Sequence, residues 1–175
     1  AHQVDRGRRR HHRRAARRST AAAPVGVAAG DRWIDVDLDQ QVLIAYEGAT
    51  PAYATLVSTG RQKWRTPRGV YRIRTKDERT RMRSPVGARA HWDVAEVPWS
   101  MGFRQYFALH GAYWHDGFGT PRSHGCVNLS PADAAHLFGF VGPELPAGWR
   151  ARATVADDPA DVATGTAVRL RDRRT

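Results

Sequence analysis

The stretch Ser123-His124-Gly125-Cys126-Val127-Asn128-Leu129-Ser130 contains the only cysteine of the chain. A single cysteine cannot form an internal disulfide and is a poor anchor for a structural metal site, so its thiol is a candidate for chemistry. The thiolate is the nucleophilic form of cysteine, and a nearby imidazole is the usual group that generates it. His124 lies two residues before Cys126, and His110 lies sixteen residues before it. The stretch is therefore the first candidate for a functional site.

Two interpretations of this cysteine compete. A lone cysteine is most often a buried small hydrophobic residue, and an isolated histidine usually completes a local hydrogen bond. The whole pattern, a His-Gly pair followed by Ser-His-Gly-Cys-Val-Asn, is more specific than either residue. In an acyl-transfer site, Cys126 would attack a carbonyl carbon after His110 or His124 had taken its proton. A turn through Gly125 would direct backbone N–H groups at the oxyanion, and the Asn128 amide would bind substrate.

The residues that follow the cysteine carry the clearest helix signal in the chain. Ser130 suits the N-cap, Pro131 suits the first helical position, and Asp133 completes a capping pattern. The predicted apolar face consists of Ala134, Leu137 and Phe138. Gly139 and the Gly-Pro pair at 142–143 indicate the end of this helix.

Short apolar runs bounded by turn residues predict β-strands elsewhere in the chain. The predicted strands are 33–38, 42–46, 53–58, 70–75, 107–109 and 165–170. Their short, regular spacing indicates a β-sandwich or barrel and not alternating β–α units. Residues 76–105, rich in Arg, Pro and Gly, predict an irregular segment, and 143–164 predicts a long Pro/Ala/Asp-rich connection.

The net charge of +11 is concentrated at the amino end of the chain, where the first twenty residues hold eight arginines and one aspartate. Residues 1–30 show no apolar periodicity, and we expect a disordered arm or linker there, with one domain over 31–171. An electrostatic tether to an anionic polymer is the alternative, but the arm has no aromatic residue to stack on a base, so nucleic acid is not expected. No stretch approaches the ~20 apolar residues of a membrane helix. No export signal is visible in the chain.

The cysteine motif resembles the signature of the L,D-transpeptidase catalytic domain (YkuD-type). That signature is a His-Gly pair, a variable loop, then Ser/Thr-His-Gly-Cys followed by an apolar residue and Asn or Arg. Supporting similarities run in order over roughly 32–171, at 33–43, 58–60, 66–71 and 165–170. The resemblance implies a mainly β fold, an L,D-transpeptidase-like β-sandwich of mixed sheets with one short helix after the catalytic cysteine. It implies no cofactor and no metal.

The resemblance also implies roles for individual residues. Cys126 matches the nucleophile that forms a thioester with a donor stem peptide. His110 matches the catalytic histidine, oriented by the main-chain carbonyl of Gly111, which accounts for the lack of an obvious acidic partner in the sequence. His124 matches the oxyanion and substrate-binding region. The residues implied or suggested to contact substrate are Ser123, Gly125, Asn128, Trp114 and Tyr113, the last two from an unusually aromatic loop at 112–122.

The activity implied is peptidoglycan L,D-transpeptidation: acylation of the thiol, departure of a D-amino acid, and attack by an acceptor amine. Attack by water instead would make the protein an L,D-carboxypeptidase. An alternative of another class is a metal-binding module using Cys126, His110, His124 and His115, although these residues lack a recognised zinc spacing. Peptidoglycan stem peptides are the expected partners, and the expected location is the periplasm or cell envelope. Anionic envelope polymers are candidate partners of the basic arm.

Overall fold

The computed structural model describes residues 21–84, 86–87 and 91–173. The first sheet consists of β1 (Arg32–Asp37), β2 (Val42–Glu47), β3 (Thr50–Leu56), β4 (Gly69–Arg72) and β10 (Ala167–Arg171). The second consists of β5 (Thr75–Arg83), β6 (Asp93–Arg104), β7 (Phe107–Gly111), β8 (Val127–Leu129) and β9 (Ala151–Ala153). The helical elements are a 3₁₀ turn (Gln62–Trp64), α1 (Pro131–Phe140) and α2 (Pro159–Ala163).

Each sheet contains one parallel pair among antiparallel ones. The strand orders are β3-β2-β1-β10-β4 and β8-β7-β6-β5-β9, with β1 parallel to β10 and β7 parallel to β8. One apolar core joins the two sheets and the buried face of α1. The prediction of a mainly β sandwich of mixed sheets with a helix after the cysteine is therefore confirmed. The five-residue α2 is an addition to it. None of the helices within the described residues has the length and the apolar character of a membrane span.

The central strand β1 is buried on both faces, whereas its alternating pattern predicts a half-buried strand. Asp35 is 2% exposed, and its carboxylate accepts hydrogen bonds from Arg169 Nε at 2.7 Å and Arg171 Nη2 at 2.9 Å. Each arginine lies on β10, the parallel neighbour of β1. Because the buried carboxylate is paired with two guanidinium groups, an aspartate is tolerated in the middle of a sheet.

The α1 helix begins as its capping pattern predicts. The Ser130 hydroxyl accepts a hydrogen bond from the Asp133 backbone N–H at 3.1 Å. The Asp133 carboxylate in turn accepts from Tyr53 Oη at 2.7 Å and Thr55 Oγ1 at 2.8 Å, both on β3. These bonds fix the start of α1, and with it the end of β8, against the first sheet.

The prediction of an irregular segment over 76–105 is wrong, because β5 and β6 form the longest hairpin of the fold. Exposed ion pairs link the two strands. The Arg81 guanidinium, for example, donates two hydrogen bonds of 2.7–2.8 Å to the Asp93 carboxylate. The pairing is also irregular, with a register shift between Thr80 and Met82. Glu96 and Trp99 adopt positive φ within β6. The segment therefore lacks the regular apolar alternation by which strands are recognised in a sequence.

Two further segments add detail to the predicted organisation. Within 143–164, β9 pairs with β5, and α2 follows it. Residues 21–30, assigned to the arm, contact the first sheet: Arg169 donates to the Ala22 carbonyl and Arg72 to the Gly26 carbonyl. The first twenty residues lie outside the described part of the chain.

Candidate active site

The parallel pairing of β7 and β8 brings the two halves of the cysteine motif together. His110 on β7 stands opposite Asn128 on β8, and Cys126 immediately precedes β8. Both His110 and Cys126 line one cavity of about 760 Å³. The other lining residues are Lys63, Trp64, Met82, Trp92, Val94, Tyr106, Phe107, Trp114, Arg122, Ser123, His124 and Asn128. The topology therefore places the predicted nucleophile and base on neighbouring segments of the same cavity wall.

The turn that presents Cys126 requires a glycine. Gly125 has φ +121°, and a Cβ there would lie 2.6 Å from the Phe107 ring. The Ser123 hydroxyl accepts from the Gly125 N–H at 2.9 Å and donates to the Cys126 carbonyl, so one side chain bridges the whole turn. Positive φ and a close aromatic neighbour both exclude a larger residue at position 125.

A segment of the first half of the chain holds this turn from outside. The Thr66 hydroxyl donates to the Gly125 carbonyl at 2.7 Å and accepts from the Gly60 N–H at 2.9 Å. The Arg61 N–H donates to the Ser123 carbonyl at 3.1 Å. The sequence analysis assigned Thr66 no role in the site, because a contact between residues so far apart in the chain leaves no local pattern.

The His110 ring is buried and held in one tautomer. Its Nδ1 lies 3.1 Å from the Gly111 carbonyl oxygen. A carbonyl can only accept, so Nδ1 carries the proton and Nε2 keeps its lone pair. Burial is the main cause that lowers the His110 pKa to about 4; the Gly111 hydrogen bond opposes the shift, and nearby His115 adds to it. At neutral pH the ring is therefore an uncharged base.

The Cys126 thiol is also uncharged at neutral pH. Burial raises its pKa, and a backbone hydrogen bond at Ala108 only partly opposes this. The Sγ atom contacts the Tyr106 carbonyl oxygen at 3.5 Å. The two pKa shifts agree: the resting pair is a thiol and a neutral imidazole, which is the less costly state to bury.

The Nε2 lone pair of His124, unlike that of His110, accepts a hydrogen bond from a neighbouring side chain. Arg61 Nη2 lies 3.0 Å from His124 Nε2. Since a guanidinium can only donate, Nε2 is the acceptor and the ring is neutral. Burial, followed by the Arg61 charge, lowers the His124 pKa. The ring packs between Trp64 and Trp92, with centroid distances of 4.6 and 5.8 Å.

Of the other residues predicted to contact substrate, Asn128 and Trp114 line the cavity and Tyr113 does not. Asn128 lines the cavity, but its Nδ2 lies 3.0 Å from His115 Nε2. The Nδ1 atom of His115 is buried without a hydrogen-bond partner among the described residues. Trp114 lines the cavity, 5.8 Å from the His110 ring. The Tyr113 ring packs edge-on against the Trp114 ring outside the cavity lining. Its hydroxyl donates a hydrogen bond to the Ala95 carbonyl. His115, which the sequence analysis named only in the metal-binding alternative, is thus the partner of the Asn128 amide.

Within the part of the chain that the structure describes, no group of three or more His, Cys, Asp or Glu side chains is arranged to hold a metal ion. The reactive groups of the site are one thiol and neutral histidines, in a cavity that aromatic side chains also line. Such a set is typical of enzymes that use a cysteine for acyl transfer.

The chain belongs to the L,D-transpeptidase catalytic domain family, whose model matches residues 31–169. No curated protein matches the chain. Solved structures with the same fold include an L,D-transpeptidase from Mycobacterium smegmatis, with 20% identity and a TM-score of 0.62 over 81% of this chain and 58% of that one. A cysteine-to-serine mutant of Enterococcus faecium L,D-transpeptidase has 22% identity and a TM-score of 0.62 over 82% of this chain and 50% of that one.

A third similar structure is the catalytic domain of the E. faecium L,D-transpeptidase acylated by ertapenem. It has 23% identity and a TM-score of 0.61, and the match covers 82% of this chain and 99% of that one. The chain thus spans only 50–58% of the two longer relatives. It spans nearly the whole of the isolated catalytic domain.

Proposed function

We propose that this protein is a peptidoglycan L,D-transpeptidase in which Cys126 is the nucleophile and His110 its base. The supporting observation is the state of the two cavity histidines. The lone pair of His124 is occupied by Arg61, whereas the Gly111 carbonyl leaves that of His110 Nε2 free. Of these two rings, His110 is therefore the one equipped to take a proton from the thiol.

Acylation begins when Sγ of Cys126 attacks the donor carbonyl and its proton passes to His110 Nε2. The oxyanion of the tetrahedral intermediate needs donors, and the Gly125 N–H is already given to Ser123 Oγ. The Cys126 N–H and the Nδ1–H of His124 are the donors that this turn offers. When the C–N bond breaks, the departing D-amino acid takes the proton from His110, and a thioester remains on Cys126.

The second half-reaction reverses these proton movements. An acceptor amine attacks the thioester carbonyl and gives a proton to His110, and the C–S bond breaks. The proton then returns to Sγ, which restores the neutral thiol and imidazole. If water is the acceptor, the same steps give the L,D-carboxypeptidase outcome, so the two activities differ in the acceptor and not in the catalytic pair.

Analysis of the products shows whether the acceptor is an amine or water. Incubated with tetrapeptide muropeptides, the full chain is expected to yield cross-linked dimers, whereas the Cys126→Ala variant yields no product. Mass spectrometry of the muropeptides separates dimers from tripeptides. Tripeptides without dimers would replace the transpeptidase assignment with the carboxypeptidase one, and unchanged tetrapeptides with a folded protein would contradict both.

We propose that the catalytic domain occupies 31–171 and that the basic arm before it serves as a linker or tether. The protein is proposed to act in the cell envelope, where stem peptides are found, and the proposed partners of the arm are anionic envelope polymers. Deleting residues 1–20 is expected to change the rate on soluble muropeptides less than about twofold, because all the cavity-lining residues lie beyond position 60. A loss of more than tenfold would show that the arm takes part in catalysis.

A further inference from the structure

The cavity that holds Cys126 has cationic walls without acidic ones. Among its lining residues Lys63 and Arg122 carry positive charge, and none is Asp or Glu. A third cation, Arg61, contacts His124, which also lines the cavity. Since the thiol and the histidines are neutral, nothing inside the cavity offsets these charges.

A backbone bridge brings the three cations to one side of the cavity. Gly60 pairs with Ser123, and the Arg122 N–H donates to the Thr59 carbonyl at 2.9 Å. Arg61 and Lys63 follow this bridge on one segment, and Arg122 precedes it on the other. We call Arg61, Lys63 and Arg122 the cationic wall.

The cationic wall has no counter-ion among the described residues. Elsewhere arginines are paired with carboxylates, as Arg81 is with Asp93 at 2.7 Å. By contrast, the wall is held by neutral groups: Arg61 and Lys63 lie 4.8 and 5.3 Å from the Trp64 ring, and Arg122 Nε donates to the Gly117 carbonyl at 3.2 Å. Positive charge that faces a partly apolar cavity without a counter-ion attracts anionic ligands.

We propose that the cationic wall is a subsite for free carboxylates of the acyl-donor peptide, an inference that rests on the proposed function. Arg122 keeps guanidinium N–H groups for a two-pronged bond with a carboxylate, and Lys63 supplies a mobile ammonium. Met82, Trp92 and Val94 give the same cavity apolar surfaces as well. Such surfaces suit a peptide with aliphatic portions better than a phosphate polymer.

Lysine reactivity tests this subsite directly, because the chain has only two lysines. Lys63 is exposed, whereas Lys76 is 2% exposed and serves as an internal control. The full-length Cys126→Ala variant is treated with an acylating amine reagent, and modification of Lys63 is followed by peptide mass mapping. An amine-acetylated tetrapeptide donor with free carboxylates is expected to slow Lys63 modification at least about threefold, the range of an exposed charge pair.

Two further peptides identify the carboxylate. One is amidated only at its C-terminal residue and the other only at its remaining carboxylates. If either peptide fails to protect Lys63 from the reagent, the subsite is supported, and the carboxylate that was amidated in that peptide is the one that binds. Equal protection by the free, singly amidated and fully amidated peptides would overturn it, as would no protection by any of them.

Kinetics provide a second measure that does not depend on the reagent. Lys63→Gln and Arg122→Gln are each expected to raise KM for the free-acid donor about 2- to 5-fold while changing kcat less than twofold. The matched control Arg150→Gln changes an exposed arginine that is not among the cavity-lining residues, and it is expected to leave both unchanged. Because protection is measured without the nucleophile, a failed product assay with intact protection would refute the proposed function and leave the subsite standing.

Discussion

Cys126→Ala is expected to abolish covalent labelling by a carbapenem, while the parent protein gains one adduct per chain. If Cys126 is the nucleophile as proposed, a β-lactam carbonyl would acylate the same thiol as the stem-peptide donor, and the adduct would persist as a mass increase. Removing an enzyme nucleophile costs up to about 10⁶-fold in rate, so the variant is expected to show no adduct.

Intact-mass spectrometry over a time course is the measurement, and Cys126→Ser is the matched variant. Serine keeps the size and the turn, but its hydroxyl is far less acidic than a thiol, so a neutral imidazole activates it poorly. Circular dichroism should show both variants folded, since Sγ makes no ion pair and contacts only backbone groups, at Tyr106 and Ala108. An adduct on folded Cys126→Ala, or none on the folded parent, would refute the assignment of the nucleophile.

Local patterns in the sequence predicted those elements in which one short segment carries its own information. The α1 cap is such a case, because Ser130 and Asp133 bond each other within one turn. The first three strands are another, because their apolar runs lie in one buried sheet. The β5–β6 hairpin was missed for the opposite reason. Its exposed faces are stabilised by cross-strand charge pairs, and those depend on a partner strand that a local pattern does not specify.

The candidate site divides in the same way. The motif and its resemblance identified Cys126, His110 and His124 as residues of interest, and the structure places all three on one cavity. The contacts that distinguish the two histidines come from elsewhere in the chain. Arg61 reaches His124 across 63 positions. A sequence pattern holds no record of such a contact, so the occupied lone pair could be found only in three dimensions.

His110→Asn is expected to lower the rate of carbapenem acylation by about 10²- to 10⁴-fold, the usual contribution of a positioned base. The asparagine amide retains a donor for the Gly111 carbonyl but has no counterpart of Nε2. The comparison variant is His124→Asn, which loses a proposed oxyanion donor and is therefore also expected to slow acylation, but which keeps the His110 base and so should keep its pH dependence. Stopped-flow or quenched mass measurements give the rates, and alkylation by iodoacetamide verifies that the Cys126 thiol is still accessible.

The pH profile distinguishes a base from a structural residue. Because the His110 pKa is lowered to about 4, the parent and His124→Asn should lose acylation only as pH falls through about 4, and not near the ordinary value of 6.5. His110→Asn should lack this limb. Its rate should rise about tenfold per pH unit with the thiolate fraction, because the Cys126 pKa is raised and the variant reacts only through pre-formed thiolate. An acid limb near pH 4 that survived in His110→Asn would exclude His110 as the base.

Stability provides an independent check of the same pKa. The unfolded chain binds a proton at His110 below pH 6.5, whereas the folded chain does so only near pH 4. The free energy of unfolding is therefore unaffected by this group above pH 6.5 and falls as pH decreases from 6.5 to 4, by about 3 kcal/mol in total. Urea unfolding of the parent and of His110→Asn should be measured at several pH values. The difference between the two free energies of unfolding removes the effects of other groups and should decrease by this amount between pH 6.5 and 4. Parallel curves for the two proteins between pH 4 and 6.5 would mean that His110 titrates near its ordinary pKa and that burial does not lower it.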